Sequence, residues 1–266
     1  MNIWDLPVPF PGLHRRRRRA LLLELLPGLA ADLILIQEAF IPRFKARLAE
    51  SLDRYHADAY LGSSRRIGPF RMDTSGGLLT FSRWPIARSC FLAFATVPRS
   101  RIDERIGGKG CLWTEIETPV GGLLVGNTHL YAGIGVFNAR ARAAQAGDLL
   151  AQFGSLPPLP TVIAGDFNMA AEHEQPGYRA TGFEMLRAAG FSEIAGGSST
   201  ELVTMAPSMN RYARLPPFHS LDRRLTQVFF RGGLQPGPEP ATVCLDDPPV
   251  SNHFGLMATL ELDHQG

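Results

Sequence analysis

The chain of 266 residues is 45% hydrophobic and 20% charged, enough to bury a sizeable core, and one α/β domain spanning residues 1–266 is the default expectation at this length. Its 27 basic and 25 acidic side chains leave a formal charge of +2, too small to announce a nucleic-acid partner by itself. Cys90, Cys111 and Cys244 show neither disulfide-framework nor zinc-site spacing and agree with a reducing compartment, and no apolar run approaches the ~18 residues of a membrane helix.

The opening MNIWDLPVPFPG is not a charged segment followed by an apolar one, so it does not read as a signal peptide. From 15 to 26, RRRRRALLLELL places leucines 21, 22, 25 and 26 on one helical face, and Pro27 with Gly28 ends the helix. A strand, DLILIQEAF, follows, then a helix near 42–53 and strands near 77–82, 90–97, 110–117 and 122–130. RARAAQAGDLLAQF predicts a helix over about 137–153, broken by PPLP before a strand, Val162 to Ala164, that delivers Gly165, Asp166, Phe167 and Asn168 at its tip. The last third reads as a helix near 182–189 and strands near 225–231, 241–245 and 254–262. Several consecutive strands in the middle of a mixed pattern argue for two packed sheets flanked by helices, against a doubly wound parallel sheet.

The strand ends carry the chemistry. LILIQEAF ends a buried run in Gln37 and Glu38, LLVGNTHL ends one in Asn127, Thr128 and His129, and SNHFGLMATL starts one after Ser251, Asn252 and His253. Asn2 stands before IWDLP. Singly, each has a bland reading: Gly-Asp-x-Asn suits an ordinary turn, a strand-terminal Glu faces solvent, and a lone His is usually structural. Together they supply a carboxylate, two histidines, an Asp-x-Asn pair and a further Asn, all at the sheet edge where α/β proteins bind ligands.

With Asn2, QE at 37–38, NTHL at 127–130, GDFN at 165–168 and SNHFG at 251–255 in this order, the sequence resembles the endonuclease/exonuclease/phosphatase superfamily, which includes deoxyribonuclease I, abasic-site endonucleases, inositol polyphosphate 5-phosphatases and neutral sphingomyelinases. The resemblance implies a deoxyribonuclease I-like four-layer α/β sandwich, two packed mixed β-sheets flanked by helices, and a Mg²⁺-dependent hydrolase of phosphodiesters, with Mn²⁺ as the alternative ion. A phosphodiester resists attack because its oxygens are anionic, so hydrolysis needs a cation, an activated water and donors for the developing charge. By resemblance Glu38, Asn2 and Asn252 serve the metal side, Asp166 positions or deprotonates the water, Asn168 donates to a phosphate oxygen, and His129 and His253 donate to the phosphoryl group, His253 being the stronger candidate for acid/base work.

Two positions depart from the family pattern. Asn252 stands where relatives carry Asp in SDH, and LTQVFF puts Thr226 where relatives carry an Asp that orients the histidine equivalent to His253. Loss of an orienting carboxylate in a hydrolytic triad costs ~10⁴ in kcat. A tuned enzyme and a catalytically silent phosphate-binding module are both open, with Asp222 as a substitute for Thr226 only after a register shift. Asn2 also ends the first core strand in the family, and little chain precedes it. Either that strand is dispensable or the native chain begins further upstream, where a secretion signal would lie.

NIWDLPVPFPGLHRR, GGLLTFSRWPI, GGKGCLWTEI and TMAPSMNRY resemble the neutral sphingomyelinase-like branch most closely, which implies a sphingomyelin-like substrate, with nucleic acid or an inositol phosphate as alternatives. In that comparison Lys109 contacts the scissile phosphate, and Asn210 and Tyr212 belong to a substrate-side segment with Thr204. The basic run at 14–20 reads first as a solvated helical face, then as a contact for anionic lipid beside the apolar WDLPVPF, then as a nucleic-acid contact. A monomer with peripheral membrane contact and no transmembrane segment is expected. AEHEQPG at 171–177 reads as a polar loop.

Overall fold

In the computed structural model, residues 1–6, 14–58, 64–67, 70–73, 75–95, 104, 107–169, 181–194, 202–214 and 222–262 are described. The strands are β1 (Asn2–Asp5), β2 (Leu33–Ala39), β3 (His56–Asp58), β4 (Ser64–Ile67), β5 (Phe70–Asp73), β6 (Leu79–Ser82), β7 (Ile86–Ala93) and β8 (Gly110–Thr118). They continue with β9 (Gly121–His129), β10 (Thr161–Asp166), β11 (Ser192–Glu193), β12 (Thr226–Arg231), β13 (Leu234–Pro236), β14 (Thr242–Cys244), β15 (Gly255–Met257) and β16 (Leu260–Leu262). The helices are α1 (Arg15–Leu25), α2 (Pro42–Ser51), α3 (Val136–Phe153) and α4 (Thr181–Ala188).

Two sheets form the centre, one ordered β1-β2-β6-β3 and the other β11-β12-β10-β9-β8-β7. Helices α1 and α2 cover the first: Leu22, Leu26, Phe44 and Leu48 bury against Ile34, Ile36, Leu79 and Phe81. The 22/26 and 44/48 spacings are single helical turns, so each pair presents one face to the sheet. Pro42 starts α2, where a missing N–H is harmless. The outer face of the six-stranded sheet packs against Leu149 of α3 and Phe183 and Leu186 of α4 through Trp113, Leu124, Ile163 and Phe229. The order helix, sheet, sheet, helix is the four-layer sandwich.

Between the sheets the contact is partly polar. Gln37 Nε2 donates to Asn127 Oδ1 at 2.8 Å, and Asn127 Nδ2 donates to the carbonyls of Ile36 and Leu79 at 3.1 Å each, all fully buried.

Several elements differ from the sequence reading. Edge strand β7 covers 86–93, not 90–97, because its exposed residues carry no alternating signal. The run 254–262 splits into β15 and β16, which pair with β14 and β13 in separate ribbons. The hairpin β4–β5 was not expected from the sequence. Asn2 opens β1 and does not end it: β1 runs parallel to β2, with Asn2 opposite Gln37, and a bulge with Trp4 at φ 51° before Asp5 reaches Ala39.

Candidate active site

The six-stranded sheet sets the first distances. Asp166 is the last residue of β10, paired with His129 at the end of β9 on one side and Thr226 at the start of β12 on the other. Opposite side chains in a ladder share a face, so Asp166, His129 and Thr226 are brought together by register alone. Gly165 is required for this alignment: a Cβ there would sit 1.9 Å from the Thr128 carbonyl oxygen. Glu38 arrives from the other sheet, near the end of β2, with φ 59°, and Asn168 has φ 51°. Left-handed backbone at non-glycine residues is uncommon and clusters at functional sites. Gly76 and Gly77 accept from the Glu38 and Ala39 N–H groups, and a Cβ on Gly77 would lie 2.7 Å from Ala39 N. The glycine pair therefore lets the chain close against the backbone that aims Glu38.

Asn2 joins the two sheets. Its Nδ2 donates to Glu38 Oε1 and to Asp166 Oδ2, 3.0 Å each, while its Oδ1 accepts from Trp4 N. His129 Nε2 lies 3.5 Å from Asp166 Oδ2 and 3.8 Å from Glu38 Oε1, and His253 Nδ1 lies 3.8 Å from Asp166 Oδ2. Asn168 donates from its backbone N–H to Asp166 Oδ1 and from Nδ2 to the Leu130 carbonyl. Lys109 Nζ is 2.7 Å from His129 Nε2 and 3.7 Å from Glu104 Oε2.

These contacts bear on the roles expected of His129, Asn210, Tyr212 and Asn252. An ammonium carries no acceptor, so His129 Nε2 accepts from Lys109, and the donor aimed at this corner is the lysine. Tyr212 and Asn210, expected on the substrate side, are buried: Asn210 donates to the Ser251 carbonyl and accepts from Tyr212 N. They fix the bend that carries His253. Asn252, expected on the metal side, sits on that bend and accepts from Ser251 Oγ at 3.2 Å. Asp222 is engaged by the backbone N–H and hydroxyl of Ser208, so it does not stand in for the missing carboxylate. Thr226 Oγ1 and His253 Nδ1 are both buried without a hydrogen-bond partner.

The basic run divides. Arg16 and Arg17 are exposed, and Arg19 forms a two-pronged pair with Asp5. Arg18 is 2% exposed, one turn before Leu22 on the buried face of α1, which corrects the reading of a solvated face. Its guanidinium donates to the carbonyls of Ile3 (2.9 Å), Trp4 (2.9 Å) and Val250 (3.4 Å) and lies over the Trp4 and Tyr212 rings. It thus ties the strand that carries Asn2 to the segment that precedes His253. The sequence signal was available: residues 18, 22 and 26 are spaced as one helical stripe. The AEHEQPG segment and most of WDLPVPF lie outside the described residues.

Burial sets the titration. It raises Glu38 to about 7, against the pull of Lys109 and the Asn2 donor. Burial also pushes Asp166 upward, but His253, His129 and Asn2 together outweigh it and hold the carboxyl below its ordinary value. Burial lowers both histidines, His129 further, and the Lys109 charge adds to it at both rings, so both are neutral at pH 7. Among the described residues no three His, Cys, Asp or Glu side chains form a ready-made cation cluster. The donor that fits a cation is Glu38, whose Oε2 is buried and unpartnered, and a hard oxygen of this kind suits an ion that keeps most of its water.

The family model for endonuclease/exonuclease/phosphatase proteins matches residues 2–244, ending before the bend that carries His253. No curated protein matches the sequence. Among solved structures, beta toxin 275-280 from Staphylococcus aureus superposes with a TM-score of 0.72 at 19% identity, covering 97% of each chain. Sphingomyelinase C from Streptomyces griseocarneus gives 0.69 at 19%, covering 97% of this chain and 96% of that one. D. rerio TDP2 complexed with a single strand DNA product gives 0.68 at 16%, covering 94% of each. At such identities the structural likeness is one of fold, and the family match over nearly the whole length carries the assignment: the chain belongs to the endonuclease/exonuclease/phosphatase family.

Proposed function

We propose that the protein is a divalent-cation-dependent phosphodiester hydrolase, with Mg²⁺ as the ion and Mn²⁺ as the alternative. The observation that supports it is the Asn2 amide shared between Glu38 and Asp166, with His129, His253 and Lys109 around it. No step of folding calls for so many polar groups buried at one sheet edge, each at a cost that only partial pairing offsets. Glu38 would hold the ion through its unpartnered oxygen, and the ion when bound would neutralise phosphate charge.

The chain's own groups divide the remaining work. Asp166 is ionised, and its lone pairs not used by Asn2 and the Asn168 N–H accept from the attacking water. Lys109 supplies positive charge where oxygen charge accumulates. His253, neutral beside Asp166, donates an N–H hydrogen bond to the oxygen on which charge builds as the phosphorus–oxygen bond breaks, and that oxygen takes its proton from water. The Asn168 amide is held by the Leu130 carbonyl, with its second N–H left for a phosphoryl oxygen.

For substrate, a sphingomyelin-like phospholipid comes first and nucleic acid second. Ile134 on the loop into α3 and Phe137 in its first turn follow His129, and Met209 precedes Asn210; all three are exposed, at 58%, 42% and 73%. His14, at the start of α1, packs on Tyr212, which brings exposed Arg16 and Arg17 toward the Asn210 segment. Exposed apolar and basic side chains on segments next to the site suit an anionic lipid surface and peripheral contact with it.

The test is hydrolysis of bis(p-nitrophenyl) phosphate with Mg²⁺, expected to stop with chelator, followed by a panel of sphingomyelin, phosphatidylcholine, inositol phosphates and plasmid DNA. Absence of turnover by folded protein with every divalent ion would refute the enzyme reading. It would leave the phosphate-binding module, for which the unpartnered Thr226 Oγ1 and His253 Nδ1 speak.

A further inference from the structure

Two guanidinium groups stand beyond the tip of β10, outside the cluster described above. Arg142 of α3 donates to the carbonyls of Tyr131 (3.2 Å) and Gly133 (2.7 Å), just past the end of β9. Arg223 stands three residues before β12, where its backbone bridges Met205. Strands β9 and β12 are the two neighbours of β10, so these arginines flank the Phe167–Met169 turn from opposite sides. The outer strands of such a trio are about 10 Å apart, a span that two long side chains close. Burial holds the Arg223 pKa below the usual arginine value, and the positive charge of Arg142 adds to it.

Arg223 is 8% exposed, and its Nε is buried without a partner. The other buried arginines are engaged, Arg18 by three carbonyls and Arg142 by the Tyr131 and Gly133 carbonyls, and half-buried Arg224 is engaged by the Ile194 carbonyl and Glu193. Asp222, next in sequence, is turned to Ser208. No carboxylate or carbonyl receives the Arg223 guanidinium among the described residues. A buried charge without a counter-ion, beside a like charge, is among the most unfavourable arrangements in a protein interior. An anion relieves it.

We infer that Arg223, backed by Arg142, forms a phosphate subsite distinct from the Glu38–Asp166 centre. The planar fork of a guanidinium matches two oxygens of a phosphate, and a pair of them matches its charge. Two sources supply that chemistry: free phosphate, or a second phosphate group on the same substrate molecule as the scissile one. The second source rests on the phosphodiesterase reading with its alternative substrates, nucleic acid or an inositol phosphate, because a sphingomyelin-like lipid carries one phosphate; the first source does not rest on that reading.

Thermal unfolding in phosphate-free buffer with chelator tests the subsite without any turnover. An unpaired buried charge destabilises, so Arg223→Met is expected to melt above wild type when no phosphate is present. Added inorganic phosphate, near tenfold its Kd, should raise the wild-type Tm by about 2–4 °C and the Arg223→Met Tm by less than half of that. Arg223→Lys, which keeps the charge without the fork, should not gain stability in phosphate-free buffer and should lose most of the phosphate response. A lower Tm for Arg223→Met in phosphate-free buffer, or equal phosphate shifts in wild type and both variants, would overturn the inference. Binding of a single-stranded oligonucleotide against salt then separates the sources. A log–log slope smaller by about 1 in Arg223→Met assigns the subsite to a substrate phosphate, and an unchanged slope assigns it to free phosphate.

Discussion

Replacing Arg18 by Leu removes every donor that the guanidinium supplies to the Ile3, Trp4 and Val250 carbonyls. Each buried acceptor left without a donor costs about 1–3 kcal/mol, the Val250 contact at 3.4 Å counting least. Against this stand the relief of a buried charge and the burial of the leucine, together about 2–4 kcal/mol. Burial lowers the Arg18 pKa only to about 10, so the charge is present at pH 7. The net expectation is a loss of about 2 kcal/mol in urea unfolding, with Arg16→Ala and Arg17→Ala within about 0.5 kcal/mol of wild type. Kinetics supply the second readout. Arg18 joins the Asn2 strand to the His253 bend, and a misplacement of ~1 Å at reacting groups costs ~10²-fold, so kcat on a chromogenic phosphodiester should fall much more than KM changes. Arg18→Leu with wild-type stability and kcat would show that the run is a solvated helical face after all.

Other perturbations probe the site directly. Glu38→Gln removes a carboxyl whose folded pKa is raised from 4.5 to about 7; wild type should lose up to ~3 kcal/mol of stability as pH rises through that window, so without metal the variant's Tm advantage should grow from pH 5 to pH 8. A constant Tm difference across that range would contradict the shift. Thr226→Asp offers His253 an orienting anion and should raise kcat ~10-fold or more, while Tm falls because the new carboxyl lies directly across the ladder from Asp166; unchanged kcat in folded protein would show that Asp166 already suffices. Asn210→Ala frees the Ser251 carbonyl and should lower both stability, by about 1–3 kcal/mol, and kcat, and a drop in Tm alone would separate the bend from the chemistry. Gly165→Ala drives a Cβ into the Thr128 carbonyl and should give no soluble folded protein; a wild-type circular dichroism spectrum and Tm would refute the steric argument.

The parts of the site that were legible in the sequence are those placed by strand ends. Asp166 and His129 terminate neighbouring strands in register, and Glu38 closes a buried run, so apolar patterning followed by a polar tip was enough to nominate them. Asn210 and Tyr212 were expected on the substrate side and are buried beside the bend, because residue type does not say whether an amide faces a ligand or a backbone carbonyl. The fate of the arginines was hidden for a different reason. A run of like residues has no internal contrast, and only the leucines one and two turns later mark Arg18 as the inward member. Arg223 was invisible, since its burial arises from β12 and the Met205 bridge, which no local pattern encodes.

The amide contacts of Asn127 across the inter-sheet space decide how the halves of the sandwich dock. An entirely apolar interface tolerates sliding, because one greasy contact replaces another at similar free energy. Here a shift of β2 by a single residue would strand the Asn127 amide and the Gln37 side chain in a dry interior, where cooperative hydrogen bonds are all satisfied or costly. Asn127 lies two residues before His129, and Gln37 one residue before Glu38, so the same lock fixes where those two side chains meet. Substituting the pair with leucine and methionine would keep the volume filled while permitting several alignments of one sheet on the other. Placement of a carboxylate from one sheet against an imidazole from the other is thus written one residue away from the first and two away from the second.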